Sequence, residues 1–227
     1  MSVLLLVYTI VAGLLGPVPH LKDLQETIRN LYFHVCMWFA MMILFTVSVV
    51  YAIKYLRHLS PRYDVYSRNF AVVAIVMGIL GYTTGAIWAS YTWADPNKPL
   101  LNSFSSIARD PKLIGAAVAL MVYFAYLVLR DGIADLDKKA RISAVYNIFA
   151  YAILFPAIWV LPRLLPSLHP GSTGSTDESL RGNPALNAKD ISASMRFVFY
   201  PAIIGWTLLG VWIATLKIRL QLLAEKK

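Results

Sequence analysis

Apolar residues along this chain occur in long stretches that are separated by short polar segments. Five stretches are 17 to 25 residues long and contain Lys54 as their only charged residue: 31–55, 70–93, 113–129, 142–161 and 197–216. An α-helix rises about 1.5 Å per residue, so roughly 20 residues cross about 30 Å of hydrocarbon. The pattern therefore predicts five transmembrane helices.

A sixth, shorter apolar run lies near the start of the chain, at residues 3–16. A helix of this length spans about 21 Å, which suits a thinned or tilted membrane span. The alternative is the hydrophobic region of a signal peptide, but such a region follows basic residues, and no Lys or Arg precedes Lys22. We therefore expect an all-α fold, a polytopic membrane bundle of six helices that forms one transmembrane domain over residues 1–227.

Composition agrees with a membrane protein and excludes several other classes. The chain is 58% hydrophobic and 15% charged, with a mean hydropathy of +0.60, and a soluble domain of this length could not bury so much apolar surface. The net charge of +9 comes from short basic clusters between apolar runs, so no nucleic-acid partner is expected. A single cysteine, Cys36, excludes an internal disulfide and a CxxCH attachment motif.

The basic residues also predict how the helices are oriented. With six spans, one side of the membrane carries twelve of the 21 basic residues in three short segments, and the other nine are spread through longer loops. The twelve are Lys54, Arg57, Arg62, Arg68, Arg130, Lys138, Lys139, Arg141, Lys217, Arg219, Lys226 and Lys227. The positive-inside rule places this side, and both termini, in the cytoplasm. Loops 17–30, 94–112 and 162–196 then face outward.

The second outward-facing loop contains two local patterns. Leu100, Leu101, Phe104 and Ile107 recur at helical spacing, which predicts a short amphipathic helix on the membrane surface. Such a helix is either an ordinary interfacial anchor or part of a site. The Asp110-Pro111 dipeptide opens the fourth span, since Asp is a good helix N-cap and Pro a good first helical residue.

Two of the four histidines lie at the predicted outer ends of helices. His34 begins the second span and His169 follows the fifth. A neutral imidazole is a good axial ligand for haem iron, and two on opposite sides would hold haem without a covalent bond. The alternative is that each is an interfacial polar residue bonded to lipid headgroups or to a neighbouring helix. His58, in a basic loop, and His20, in a proline-bounded loop, are weaker candidates.

Trp88 and Trp93 end the third span at the same interface. Aromatic belts place tryptophan there routinely, so one interpretation is a membrane anchor. The other is a flat apolar surface against a porphyrin ring. Cys36 lies about 200° around the helix from His34, so it is not expected to share an iron with that histidine and is predicted to be a buried apolar residue.

Several stretches, taken together, resemble one protein family. They are RNLYFHVCMWFAMM, TGAIWASYTW, ARDPKLIGAAVALMVYFAYLVLR, ARISAVYNIFAYAILFPAIWVLP, SLHPGST and FYPAIIGWTLLGVWIATLK. In content and order they resemble the cytochrome c maturation protein C family, also called haem exporter protein C. The resemblance extends from about residue 29 to residue 216. Its most specific parts are the histidine at the head of span two, the TGAIW end of span three and the LHPG after span five.

The resemblance implies a multi-pass protein of the bacterial cytoplasmic (inner) membrane that binds haem b non-covalently at its outer face. It implies His34 and His169 as the axial ligands of the haem iron. It also implies Trp88 and Trp93 as haem contacts, with Asp110 as the acidic residue that closes the tryptophan-rich segment. Haem would pass to a membrane-anchored periplasmic haem chaperone in cytochrome c biogenesis, with no enzymatic reaction. An ABC-type ATPase and permease of the same pathway are further candidate partners.

One segment departs from the family pattern. The family usually has a compact run of tryptophans that ends in Trp-Asp, whereas this chain has ADPNKPLLNSFSSIAR, in which Phe104 is the only aromatic residue. Either the amphipathic segment replaces the tryptophan surface, or this protein handles haem differently.

Two other functions remain open from the sequence. The first is a permease subunit of an ATP-driven exporter of haem or another small molecule. The chain has no GxxxxGK[ST] motif, so ATP use would belong to a partner. Ion-coupled transport normally needs ionisable groups near the membrane midplane, and these spans have none there, while Asn147 is more typical of helix packing. The second is a structural or scaffold subunit.

Overall fold

The computed structural model describes residues 1–20, 24–93, 107–169 and 191–224. This part of the chain is all-α, as the apolar runs predict. Its six main helices are α1 (Ser2–Leu15), α2 (Leu31–His58), α3 (Pro61–Thr92), α4 (Pro111–Asp131), α5 (Leu136–Phe155) and α6 (Ala193–Ala224). A short 3₁₀ segment, Gln25–Asn30, precedes α2, and two short helical segments, Pro156–Val160 and Leu161–Leu164, follow α5.

Within the described ranges, α2 to α6 are each long and apolar enough to cross a membrane, and α1 is a shorter apolar helix. The structure thus confirms a six-helix, multi-pass membrane protein. The start of α2 packs on the end of α3, and the start of α4 contacts the segment after α5. We call this end of the bundle, which carries His34 and His169, the histidine end. The opposite end carries Asp64 in the first turn of α3 and Arg130 in the last turn of α4.

Helices α3 and α6 extend well beyond the apolar runs that predicted them. Helix α3 begins at Pro61, nine residues before its apolar run, and α6 covers 32 residues, from Ala193 to Ala224. Pro61 and Asp64 suit a helix start, because proline tolerates the first turn and an acidic residue stabilises its positive end. An apolar run marks the hydrocarbon thickness rather than the helix ends, so a helix can continue beyond its predicted span.

The second half of the predicted outer loop, residues 17–30, contains a short helix. Gln25–Asn30 forms a 3₁₀ helix that leads directly into α2. Its Arg29 pairs with Glu26 at 2.7 Å and donates hydrogen bonds to the carbonyls of Gly13 and Gly16, also at 2.7 Å. Those carbonyls lie at the end of α1, where a helix leaves acceptors unsatisfied. The segment was missed because its partners are distant along the chain.

Helix α1 packs into the bundle. Leu5 and Leu6 lie against Gly205 of α6, and Gly13 lies against the ring of Tyr32. Small residues at such contacts allow two helix backbones to approach closely in a membrane. The hydroxyl of Tyr8 also donates to the carbonyl of Phe197 at 3.2 Å. Helix α1 is therefore packed against α6 and α2 as part of the bundle.

The core between α2, α3 and α5 contains a small polar cluster. The side-chain amide of Asn147 donates to the hydroxyl oxygens of Ser48 and Ser67, at 2.7 and 3.0 Å. All three residues are buried. Hydrogen bonds of this kind join transmembrane helices, so the predicted packing role of Asn147 is confirmed.

Helix α5 changes its geometry at Pro156. Proline has no N–H to donate to the carbonyl four residues earlier, and the helix continues as the π-helical segment Pro156–Val160. The Nζ of Lys112, from the start of α4, donates to the carbonyl of Ile158 at 2.7 Å. The helix therefore has a wider turn after Pro156, and the Ile158 carbonyl in this turn accepts a hydrogen bond from Lys112.

Candidate functional site

His34 lies in the first turn of α2, facing α3, and is 9% exposed. Its Nδ1 is 2.8 Å from the carbonyl oxygen of Gly81. A carbonyl can only accept a hydrogen bond, so the Nδ1 must carry the proton and the neutral ring keeps its lone pair on Nε2. Metal-binding histidines are typically held in this way, with one ring nitrogen donating to a carbonyl and the other left for the metal.

The space for the His34 ring depends on glycine in α3. A Cβ placed on Gly85 would lie 2.3 Å from Cε1 of His34 and 2.7 Å from its Nδ1. Both distances are far shorter than any van der Waals contact, so a larger residue at this position would displace the imidazole. Gly81, one turn earlier, supplies the carbonyl acceptor and lies against the ring of Trp38. These glycines of the TGAIW region thus form the wall of a histidine pocket.

Trp88 lies against the same imidazole. The two rings are 6.0 Å apart between centroids and nearly perpendicular, at 74°. Trp88 is half-buried, and its Nε1–H donates to the hydroxyl oxygen of Thr27 at 3.1 Å. Trp88 therefore meets His34 edge to face, in a geometry that aromatic pairs favour. Thr27 was not predicted from the sequence, because nothing in the pattern links the 3₁₀ segment to α3.

His169 and Trp93 form a second, similar pair. Trp93 is the residue that ends α3, and its ring lies 6.3 Å from that of His169 at 84°. The backbone N–H of His169 donates to the hydroxyl oxygen of Ser167 at 3.0 Å. His169 is partly buried. Each of the two predicted histidines thus contacts one of the two predicted tryptophans.

Asp110 connects the start of α4 to the segment that carries His169. Its carboxylate accepts from the backbone N–H of Lys112 at 2.8 Å, as the N-cap pattern predicts. It also accepts from the hydroxyl of Ser167 at 2.9 and 2.8 Å and from the backbone N–H of Leu168 at 3.1 Å. Asp110 is 7% exposed. Both of its oxygens are engaged by protein donors, so the geometry assigns it to holding this segment in place.

The two histidine–tryptophan pairs lie at the same end of α3 and involve different residues of it. Trp88 and Trp93 are five positions apart, which is about 7.5 Å along a helix and roughly 140° around it. The structure therefore brings His34 together with Trp88, and brings His169 together with Trp93 and Asp110. All five predicted site residues lie at the histidine end.

Two cations lie on one aromatic ring beside this region. The Nζ of Lys112 and the guanidinium carbon of Arg163 are 5.3 and 5.1 Å from the ring centre of Trp159. Cation–π contacts of this length are attractive. The indole Nε1–H of Trp159 points to the sulfur of Met42 at 3.2 Å. Sequence reasoning missed this cluster, because the π-helical segment decides which way Trp159 points.

The remaining candidate residues have less structural support as parts of a site. His20 and His58 are exposed, and Cys36 is fully buried, as predicted. Of the amphipathic pattern, Leu100, Leu101 and Phe104 lie outside the described residues, and Ile107 is buried. Among the described residues, no three His, Cys, Asp or Glu side chains cluster as a metal-ion site. Haem iron needs no such cluster, because the porphyrin supplies four ligands and the protein only the axial ones.

A comparison with protein-family models decides the family. The model described as cytochrome c assembly protein matches residues 1–161. The chain belongs to the cytochrome c assembly protein family. This supports the resemblance to the cytochrome c maturation protein C family and a role in cytochrome c biogenesis. The matched range includes His34, Trp88, Trp93 and Asp110, and His169 follows it. No curated protein sequence matches the chain.

Proposed function

We propose that this protein binds haem b non-covalently at the histidine end and transfers it to a membrane-anchored haem chaperone during cytochrome c biogenesis. The observation that carries the proposal is the hydrogen bond from His34 Nδ1–H to the Gly81 carbonyl. It fixes the neutral tautomer whose Nε2 lone pair can ligate iron. The residues of this end therefore fit an axial role toward haem.

His169 is the second proposed ligand. It lies at the same end of the bundle, beside Trp93, on a segment that Asp110 fixes through Ser167 and Leu168. Two neutral imidazoles bind haem iron without a covalent link, and each can be exchanged separately. Such a pair suits a protein that hands haem on, because one ligand can leave while the other still holds the iron.

The side of the membrane on which haem would be delivered is inferred from the distribution of basic residues. The end of the bundle opposite the histidines carries Lys54, Arg57, Arg62, Lys138 and Lys139, at or between the ends of α2, α3, α4 and α5. The positive-inside rule supports a cytoplasmic position for that end and both termini in the cytoplasm. In the bacterial inner membrane the histidine end would then face the periplasm, where a haem chaperone could take the haem. Reporter fusions at the two helix turns, Leu59–Ser60 and 132–135, test this orientation directly.

The decisive experiment is an absorbance spectrum of the purified, full-length protein after expression with haem, in oxidised and reduced form. We expect a Soret band with a split low-spin visible spectrum, as two histidine ligands give. His34→Ala or His169→Ala should remove most of the Soret absorbance while the protein still inserts into the membrane. His20→Ala and His58→Ala are matched controls, since both side chains are exposed, and should keep the wild-type spectrum. Equal haem content in wild type, His34→Ala and His169→Ala would overturn the proposal.

Transfer is tested separately from binding. Haem-loaded protein in liposomes is mixed with a purified apo-chaperone, and haem on the chaperone is measured after the two are separated. The proposal expects transfer without ATP. Retention of all haem on this protein, with a chaperone that accepts free haem, would argue against a transfer role.

A further inference from the structure

We propose that Thr27 is a positioning residue for the candidate haem site, because it fixes the Trp88 ring against His34. This inference rests on the proposed haem-binding function and adds a residue that neither the sequence pattern nor the axial-ligand chemistry identifies. Its basis is a continuous set of contacts from Leu24 through Thr27 and Trp88 to His34.

The hydroxyl group of Thr27 donates one hydrogen bond and accepts another. Its proton is donated to the carbonyl of Leu24, so its oxygen is left with lone pairs directed elsewhere. The indole Nε1–H of Trp88 donates to that oxygen at 3.1 Å. An indole N–H can only donate, and this bond therefore selects one orientation of the Trp88 ring.

The segment that carries Thr27 is itself fixed at its far end. The side-chain amide of Asn30 donates to the carbonyl of Thr84 in α3 at 3.2 Å. Arg29 donates to the carbonyls of Gly13 and Gly16 at the end of α1, each at 2.7 Å. The 3₁₀ helix is thus held to both α1 and α3, and Thr27 presents its oxygen from a defined position.

Trp88 in turn restricts the orientation of the His34 ring. The bond from His34 Nδ1–H to the Gly81 carbonyl fixes the tautomer, and rotation of the imidazole about its Cβ–Cγ bond would break it. The Trp88 ring at 6.0 Å, together with the Trp38 ring at 6.3 Å, limits that rotation from the sides. The angle of the imidazole plane on an axially bound haem would therefore depend on Trp88 and, through it, on Thr27.

The test compares Thr27→Val with Thr27→Ser in the full-length, haem-loaded protein. Valine keeps the shape of threonine and removes the hydroxyl, so both the acceptor for Trp88 and the donor to the Leu24 carbonyl are lost, whereas serine keeps both. We expect Thr27→Val to lose haem to excess apomyoglobin roughly three- to tenfold faster, the effect of one neutral hydrogen bond. It should also shift the g-values of the low-spin ferric haem, which report the orientation of the axial imidazole. Thr27→Ser should match wild type in both measurements.

Two further variants separate positioning from general destabilisation. Thr83→Val is the matched control and should match wild type. Among the described residues, the Thr83 hydroxyl bonds to carbonyls of its own helix α3, and its side chain is exposed. In a Trp88→Phe background, Thr27→Val should have no further effect on either readout. If Thr27→Val does not insert, Thr27→Ala is measured in its place.

The outcomes are distinct for the two proposals. A wild-type protein without haem overturns the proposed function, and the near-ultraviolet circular dichroism of the Trp88 indole then tests Thr27 alone. The signal of Thr27→Val should differ from that of wild type. The signal of the Thr27→Val/Trp88→Phe double variant should match that of Trp88→Phe. Haem-loaded Thr27→Val with wild-type loss rate and g-values overturns the inference while the proposed function stands. An undiminished effect of Thr27→Val in the Trp88→Phe background overturns it as well.

Discussion

Both carboxylate oxygens of Asp110 accept a hydrogen bond from the hydroxyl of Ser167. Asp110 is the N-cap of α4, and Ser167 lies two residues before His169. The bond therefore joins the start of one transmembrane helix to the segment that carries a proposed iron ligand. In this arrangement an acidic residue that the family pattern associates with haem acts through the backbone and through Ser167.

The first prediction concerns this connection. In Asp110→Asn an amide replaces one acceptor oxygen, so the bonds from Ser167 and from the backbone N–H of Leu168 cannot all be kept. We expect His34 ligation to persist and His169 ligation to weaken. The measurement is the ferric spectrum of the purified protein, where a partial low-spin to high-spin change should be partly reversed by added imidazole.

The control for this variant is Asp135→Asn. Asp135 is also a helix N-cap, accepts from the backbone N–H of Lys138 at 2.8 Å, and is exposed at the opposite end of the bundle. It should give a wild-type spectrum. A fully low-spin spectrum in Asp110→Asn, unchanged by imidazole, would show that Asp110 does not position His169.

The second prediction concerns the glycine beside His34. Because a Cβ on Gly85 would lie 2.3 Å from Cε1 of His34, Gly85→Ala should push the imidazole out of its pocket and break the bond to the Gly81 carbonyl. We expect haem content to fall at least tenfold, measured by pyridine haemochrome per mole of protein. Gly132→Ala is the control, since the nearest atoms to a Cβ there are at 3.6 and 3.7 Å, and it should retain haem. Full haem content in Gly85→Ala would place the binding site elsewhere.

The sequence predicts the helices well because a membrane leaves few alternatives. An unpaired backbone polar group is costly in hydrocarbon, so an apolar run of sufficient length forms a helix. The N-cap role of Asp110 and the packing role of Asn147 each follow from the chemistry of one residue type, and the structure confirms them. Each of these features depends on one residue and its neighbours in the sequence, so it can be predicted without knowing the fold.

The site is harder to predict because its contacts join residues far apart in the chain. His34 meets Gly81 across 47 positions, Trp88 meets Thr27 across 61, and Ser167 meets Asp110 across 57. Helix periodicity does not encode which faces of two helices meet. The family resemblance predicts His34, His169, Trp88, Trp93 and Asp110 as site residues. The structure adds Gly81 and Gly85, which contact His34, and Thr27, which contacts Trp88.

The same limitation applies at the opposite end to Arg130, one of the twelve basic residues that predict the orientation of the helices. The structure places it at the end of α4, 6% exposed, with its guanidinium paired to the Asp64 carboxylate of α3 through two hydrogen bonds. A two-pronged arginine–carboxylate contact is geometrically specific. The sequence pattern does not predict this pair, because 66 positions separate its two members.

The third prediction follows from the burial of this pair. Removing one partner leaves the other as an uncompensated buried charge, which costs about 3 to 5 kcal/mol. Asp64→Asn should therefore lower the free energy of unfolding by that amount. Arg130→Met should lower it by less, because the Asp64 side chain that it leaves unpaired is 14% exposed. Both are measured by denaturant titration in detergent micelles. The double variant should recover much of the loss, because no unpaired charge remains. Arg141→Met, at an exposed position of α5, should change stability by less than about 0.5 kcal/mol. Additive losses in the double variant would mean that the two side chains act independently.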